Sequence, residues 1–422
     1  MTTATKKPAS IVLSSSQEKI LLIVLAAVQF TSMVDFMIVI PLGPQFQDVF
    51  HITTGQFENI VGSYALSAGL AGLLGGFFID RFDRKKVLMF IYTGFGVGTL
   101  CCAISPTYPL LVASRVLAGA FGGLCGSVIF AIVGDIIPME RRGRAMGLVM
   151  TSYSLASILG VPAGLIIANK FNWHVSFYSI AALTLPILVV ALIVIPTLNH
   201  HLAHKHTDHP LARTWSLISR PNHLRAFAFM AALTIAGFSV IPYVPTYMVR
   251  NVGMQQADLF WLYVAGGICT VFSNNIVGRL SDKMGKQKVF IWVSVMCAFP
   301  ILLVTNLPRV PESAAIATFA LMMTFLSSRM VPALAMMTGV VEAKSRGGFM
   351  SLNSSVQQFT LGLTAMLTGL FMGQDENGHL TRFPINGIIS ILFAWAGIYL
   401  SRYLQPHKPA AVVAPEPVMV EG

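Results

Sequence analysis

Charge is what this sequence has least of. Asp, Glu, Lys and Arg make up 11% of its 422 residues, against about 25% in soluble globular domains. Hydrophobic residues reach 55%, with a mean hydropathy of +0.71, which excludes a water-soluble fold. Cysteine is also scarce. Cys101, Cys102, Cys125, Cys269 and Cys297 all fall in apolar runs at no metal-ligand spacing, so they read as small buried apolar side chains, and no metal site is expected. No Gly-x-x-x-x-Gly-Lys-Ser/Thr loop occurs, which argues against ATP coupling. No apolar run holds a histidine near a serine or cysteine at depth, so an enzyme is not expected. The first 19 residues are polar and lead into a full-length apolar run without a small-residue cleavage site. That run is expected to serve as its own insertion signal.

Apolar runs of about 20 residues are long enough to cross a hydrocarbon core of about 30 Å. Twelve are present, at approximately 20–42, 57–79, 87–106, 109–133, 145–168, 174–196, 225–249, 258–280, 288–308, 314–340, 348–372 and 384–402; they are numbered here as spans 1 to 12. The expectation is an all-α, multi-pass membrane protein. A net charge of +11 and a pI near 9.6 suggest a nucleic-acid partner, but the positions of the charges remove that idea. The N-terminus and every second loop hold 22 of the 28 Lys and Arg residues, and the opposite loops hold four: Lys170, Arg250, Arg309 and Arg382. Such asymmetry is the positive-inside pattern. Both termini are therefore expected in the cytoplasm, with the chain in a bacterial inner membrane and the lipid bilayer as its surroundings.

The longest polar interruption divides the spans six and six. The expected organisation is a tail over 1–19, a bundle over 20–196, a cytoplasmic linker over 197–224, a second bundle over 225–405 and a disordered tail over 406–422. The halves repeat each other. GGFFIDRFDRKK from Gly75 matches VGRLSDKMGKQK from Val277 at an offset of 202, placing Gly76 on Gly278 and Asp80 on Asp282. MERRGRAMG from Met139 matches VEAKSRGGF from Val341 at the same offset, and IPLGP at Ile40–Pro44 matches IPYVP at Ile241–Pro245.

These residues resemble the major facilitator superfamily, and the resemblance covers nearly the whole chain. GGFFIDRFDRKK looks like the family's signature between spans 2 and 3, with its weaker copy between spans 8 and 9. SRVLAGAFGG from Ser114 looks like its span-4 arginine motif, and SILGVPAG from Ser157 resembles the span-5 glycine-proline motif of exporters. Asp35 stands where twelve-helix drug/proton antiporters often carry an acid, and the nearest likeness is to efflux permeases of the arabinose-efflux type. Two departures stand out: Asp83 replaces the usual glycine, and Val161 separates Gly160 from Pro162. The resemblance implies two pseudo-symmetric six-helix bundles moving by alternating access. It also implies a latch in which Arg84 reaches Asp80 and Asp135, with Gly76, Gly278 and Asp282 at the corresponding turns; ordinary solvated charges are the alternative.

Charge inside the spans carries the rest. Every acid except Asp35 is assigned to a loop, a tail or a helix end, and among bases only Arg115 and Arg329 lie within spans. A charge at mid-span costs at least about 2.5–3.5 kcal/mol on insertion scales, so it faces a partner or a water-filled path. Asp35 and Arg115 differ in depth by about one helical turn at 1.5 Å per residue, and the resemblance brings spans 1 and 4 together. A carboxylate held between desolvation and a guanidinium can gain a proton from one side and lose it to the other. Asp35 and Arg115 are thus the candidate proton-coupling residues; a permanent ion pair is the alternative. With Arg329 the intramembrane sum is +1, or +2 with Asp35 protonated, which suits an anionic, zwitterionic or sugar-like solute rather than a cation.

Further candidates for solute binding are Asn274, Asn353 and Gln357, the last two four apart on span 11, and Tyr243 and Tyr247, four apart on span 7. Interhelical packing and hydrogen bonding would explain each equally well; for Arg329 the alternative is service to broken-helix carbonyls near Pro332. Gly160, Pro162 and Gly164 read as a hinge that permits tight packing in span 5. The His-rich stretch HHLAHKHTDH from His200 reads as solvated linker. The expected function is secondary active transport, proton-coupled efflux of a small organic solute by a monomer, with no cofactor beyond the proton gradient. The alternative is proton symport or facilitated uptake of a sugar or organic acid.

Overall fold

The computed structural model describes residues 14–198, 218–342, 346–376 and 378–405. The two tails and most of the linker, including His200, lie outside the described residues. So do the side chains of Ser15, Gly76, Phe77, Phe78, Asp80, Met139 and Glu140. Ten stretches are long and apolar enough to cross a membrane by length and composition, and Thr54–Phe78 and Arg346–Phe371, of 25 and 26 residues, complete twelve spans.

In the first half span 1 is Ser15–Ile38, followed by a turn and a short outer helix, Gly43–Phe50. Span 2 is Thr54–Phe78, span 3 Arg84–Ala103, span 4 Tyr108–Ile136 and span 6 Trp173–Val194. Span 5 comes in three pieces: Met139–Leu155, a π turn at Ala156–Gly160, and Val161–Lys170. In the second half span 7 begins as Pro221–Phe238, then changes pitch through a 3-10 turn at Ile241–Tyr243, a short helix at Val244–Tyr247 and a π turn at Met248–Val252. Span 8 is Leu259–Met284 and span 9 Lys286–Thr305. Span 10 is broken between Glu312–Ser328 and Met330–Gly339, span 11 is Arg346–Phe371 and span 12 Phe383–Ser401. A two-stranded antiparallel hairpin, β1 Gly373–Gln374 and β2 Leu380–Thr381, joins the last two.

Local chemistry sets several helix starts. Ser14 with Gln17, and Thr53 with Gln56, form reciprocal capping boxes that satisfy the first backbone N–H groups of spans 1 and 2. Asp83 caps span 3, accepting from Lys86 N at 3.1 Å, and its other oxygen accepts from Leu198 N at 2.9 Å. This explains the departure at residue 83. Its repeat partner Gly285 sits at φ +95°, where a side chain is disfavoured, whereas Asp83 is at φ −56° and needs no glycine. The π turn of span 5 lies just before Pro162, which has no N–H for the carbonyl of Ile158.

Span 2 lies along span 11 for most of its length, glycine against glycine. A Cβ on Gly55 would come within 2.8 Å of the Gly369 carbonyl, and one on Gly62 within 2.9 Å of the Gly362 carbonyl. Towards the basic loops Gly69 and Gly72 meet Ser355 and Phe359. On the opposite side of the molecule span 5 touches span 8 through its outer part, Ile158 against Gly267. Its inner residues Leu148, Tyr153 and Leu155 stay exposed, as do Phe272 and Ile276 of span 8. The apolar cores follow the same division. At the end away from the basic loops one core runs through both halves, from Phe46 and Phe57 to Tyr243, Tyr247 and Leu259. At the basic end each half has a core of its own, around Leu25 and Val128 in one and Phe229 and Phe349 in the other. The halves share one core at the end away from the basic loops and keep separate cores at the basic end, towards which spans 2 and 11 still touch.

Candidate functional site

Four spans converge on Asp35. Its Oδ2 accepts from Arg115 Nη1 of span 4 at 2.8 Å, and its Oδ1 from Thr99 of span 3 at 3.1 Å. The same guanidinium nitrogen also donates to the Asp35 carbonyl at 3.3 Å. The Tyr64 ring of span 2 lies beneath the guanidinium, 4.2 Å from its centre, adding a cation–π contact. Both charged side chains have no exposure at all. Arg115 Nε and Nη2 make no hydrogen bond among the described residues, and the Cys102 thiol lies beside them. Small residues make this approach possible: a Cβ on Gly119 would clash with Tyr64 backbone, and one on Gly122 with the Tyr64 hydroxyl. The pair anticipated from depth and from the family resemblance is therefore in direct contact.

The other candidates are more dispersed. Arg329 sits at the break in span 10, 1% exposed, and donates to the Leu233 carbonyl of span 7 at 3.4 Å. Its Nε and Nη1 make no hydrogen bond among the described residues. Its acceptor is a span-7 carbonyl, not one of the span-10 carbonyls near Pro332. Asn274 exchanges hydrogen bonds with Ser327 at 3.3 Å, tying span 8 to span 10. Asn353 is buried and its Oδ1 makes no hydrogen bond among the described residues, while Gln357 is partly exposed on the same helix. Tyr243 and Tyr247 do not share a regular helix, because span 7 changes pitch between them. Tyr243 donates to Thr368 at 2.8 Å, and Tyr247 to the Leu307 carbonyl at 3.0 Å.

In span 5 Gly160 and Gly164 face span 1. A Cβ on Gly160 would strike Val34, and one on Gly164 would lie 2.6 Å from Ile38. The Gly164 carbonyl accepts from Ser176 at 2.8 Å, and buried Pro162 stands between the two glycines.

At the basic end Arg84 Nε meets Asp135 Oδ2 at 3.3 Å, while the side chains of Gly76 and Asp80 lie outside the described residues. The second half does not copy this pair. Lys286 takes the place of Arg84 and Met337 that of Asp135; Lys286 donates to the Ala335 carbonyl at 3.5 Å, and Asp282 is exposed beyond Gly278.

At the end away from the basic loops the halves are tied by polar contacts as well. Gln47 donates to Thr246 at 3.4 Å and accepts from Gln374 at 3.1 Å, and Arg250 pairs with Asp48. One residue there was misread from sequence. Glu58, assigned to a helix end, is fully buried in span 2, and neither carboxylate oxygen has a hydrogen-bond partner among the described residues. Its helix begins three residues earlier than hydropathy suggests, because the Thr53 capping box precedes the apolar run.

Comparison with known proteins agrees with this architecture. The model of the Major Facilitator Superfamily matches residues 25–322 and 235–419. The uncharacterized MFS-type transporter YtbD of Bacillus subtilis is 23% identical over 337 residues, 80% of this chain and 81% of that protein. Multidrug resistance protein 2 of the same organism is 22% identical over 282 residues, 65% of this chain and 70% of that protein. Among solved structures, the inward open xylose transporter XylE from E. coli superposes with a TM-score of 0.70 at 15% identity, covering 92% of this chain and 96% of that one. A bacterial homolog of the human lysosomal transporter Spinster, inward-facing and occupied, gives 0.69 at 15%, covering 94% and 100%. With a repeated six-span unit, a buried charge pair and a family match across nearly its full length, this chain belongs to the Major Facilitator Superfamily.

Proposed function

We propose that the protein is a secondary transporter that exchanges protons for a small zwitterionic or polyhydroxylated solute by alternating access. The single observation that carries the reading is the Asp35–Arg115 pair, buried where four spans meet. A buried pair is costly to keep unless its members are used or well bonded, and here two guanidinium nitrogens make no hydrogen bond among the described residues. In exchange, the solute and the proton compete for Asp35. A solute ammonium or hydroxyl donates to the ionised carboxylate while its acceptor groups take Arg115 Nε and Nη2. A proton arriving on Asp35 removes that acceptor and expels the solute. Arg329 keeps the intramembrane sum positive, which disfavours lipophilic cations. Asn353 and Gln357 of span 11 are the solute contacts proposed from the second half. Gly160, Pro162 and Gly164 act as the span-5 pivot, with the Arg84–Asp135 pair as the latch at the basic end. With the basic loops in the cytoplasm, the described conformation is open inwards, in a bacterial inner membrane.

The same geometry favours a second reading for a purely anionic solute. Protonation of Asp35 frees Arg115 for an anion, so proton and anion bind together and travel together, which is symport. The name of the multidrug-resistance relative supports efflux; that of the xylose transporter supports a sugar-like solute.

The test is transport driven by a pH gradient in proteoliposomes, across anionic, zwitterionic, sugar and cationic solutes. Asp35→Asn is expected to abolish gradient-driven movement and, lacking the ionised acceptor, to weaken solute exchange. Unchanged gradient-driven movement in the variant contradicts the proton role of Asp35.

A further inference from the structure

We infer that Glu58 is a second proton-binding site, which holds its proton when the outer end of the transporter is closed and releases it when that end opens to water. The inference rests on the alternating-access reading above but not on the role given to Asp35.

Glu58 belongs to neither of the charge clusters already described. It lies one turn into span 2, at the seam between the halves. Its stem packs on the backbone of span 11: a Cβ on Gly369 would lie 3.0 Å from Glu58 Cβ and 3.2 Å from its Cγ. The carboxyl group is fully buried, and both oxygens are without a hydrogen bond among the described residues. An ionised carboxylate in such surroundings loses its hydration with nothing in exchange, which is strongly unfavourable. A neutral carboxyl loses far less.

The neighbours offer no charge to compensate it. Span 7 contributes Tyr243, close enough to feel a charge on Glu58, with its hydroxyl proton directed to Thr368. The facing stretch of span 11, Thr364 to Phe371, contains no ionisable side chain. Span 12 contributes Asn386, beside the Tyr243 hydroxyl. The short outer helix carries Asp48 at the rim, and the Arg250 cation there is already paired with it. Among the described residues no cation pairs with Glu58.

The contacts that set Glu58 against Gly369 and Tyr243 cross between the halves, so parting them at this end restores its access to water. The proton is then bound and released from the same side, water to carboxylate oxygen and back. It reports the outer pH to the closure step without itself being carried across. Because the closed form binds one proton more than the open form, closure is favoured as pH falls. The closed-to-open ratio changes by up to about tenfold per pH unit, the limit for one proton.

The experiment places spin labels at the outer end, on Phe171→Cys and Arg309→Cys, both exposed and on opposite halves, and measures their separation from pH 8 to pH 5 in lipid nanodiscs. The parent chain is expected to move from the longer to the shorter distance as pH falls. Glu58→Gln, of nearly the same shape, should hold the shorter distance at every pH. Glu58→Asp should keep the shift, which separates loss of the ionisable group from damage to packing. Asp35→Asn should keep it too. A full pH-dependent shift in Glu58→Gln overturns the inference and leaves alternating access standing. A single distance at every pH in the parent chain overturns both.

Discussion

Removing one partner of the Asp35–Arg115 pair has a calculable consequence. Both side chains are wholly buried, so solvent does not screen the charge left behind. In Asp35→Asn the guanidinium loses its counterion and keeps the Tyr64 ring; in Arg115→Met the carboxylate keeps the Thr99 hydroxyl. Breaking such a pair from either side costs about 3–5 kcal/mol, whereas removing both members together costs far less. The cation–π contact and the Thr99 bond each return about 1 kcal/mol, so single losses of about 2–4 kcal/mol are expected. The double variant Asp35→Asn/Arg115→Met should then fall short of the summed singles by at least about 2 kcal/mol, since contacting residues couple strongly. Equilibrium unfolding in mixed micelles at neutral pH measures all four corners of this cycle. Additivity within about 0.5 kcal/mol would refute the claim that the two charges depend on each other.

Two further outcomes follow from close packing and capping. Gly362→Leu drives a side chain into the Gly62 carbonyl and Leu66, since even a Cβ would lie 2.6–2.7 Å from them. It should destabilise the closed seam by about 1–3 kcal/mol and lower transport, whereas Gly147→Leu, with no atom near its added Cβ, should do neither in the same uptake assay. Asp83→Gly restores the family's usual residue but leaves the Leu198 N–H unbonded and weakens the span-3 cap. It should cost about 1–3 kcal/mol, read as a lower midpoint in thermal unfolding.

Much of this arrangement was legible from the chain alone, because a bilayer leaves few choices. Span length and the positive-inside bias give the twelve crossings, and the 202-residue offset gives the two halves. The contact between Asp35 and Arg115 was legible because the two charges lie at similar depth and the family resemblance sets spans 1 and 4 side by side. Glu58 was missed for a physical reason. Hydropathy locates where a helix becomes apolar, not where it starts, and the span-2 helix starts at Thr54. The signal was there: Gly55, Glu58, Gly62 and Gly69 recur at three, four and seven residues, one face of one helix, and that face meets span 11. The break at Arg329 and the pitch changes around Tyr243 do leave a trace, in Pro332, Pro242 and Pro245, which have no N–H for the carbonyls of Ser328, Phe238 and Ile241. Sequence does not reveal the partners these side chains take within the second half: Leu233 for Arg329, Ser327 for Asn274, Thr368 for Tyr243 and Leu307 for Tyr247. Residue 83 shows the reverse case, where a departure from the family pattern is explained once its backbone angle is known.

The central claim is the direction in which protons move when solute moves. Wild-type proteoliposomes with equal pH on both sides and a pH-sensitive dye in the lumen report it directly. Adding a zwitterionic or sugar solute outside should draw solute in and send protons out, so the lumen becomes more alkaline, and Asp35→Asn should abolish the signal. A lumen that turns acidic, or a solute that enters with no pH change, would contradict proton exchange.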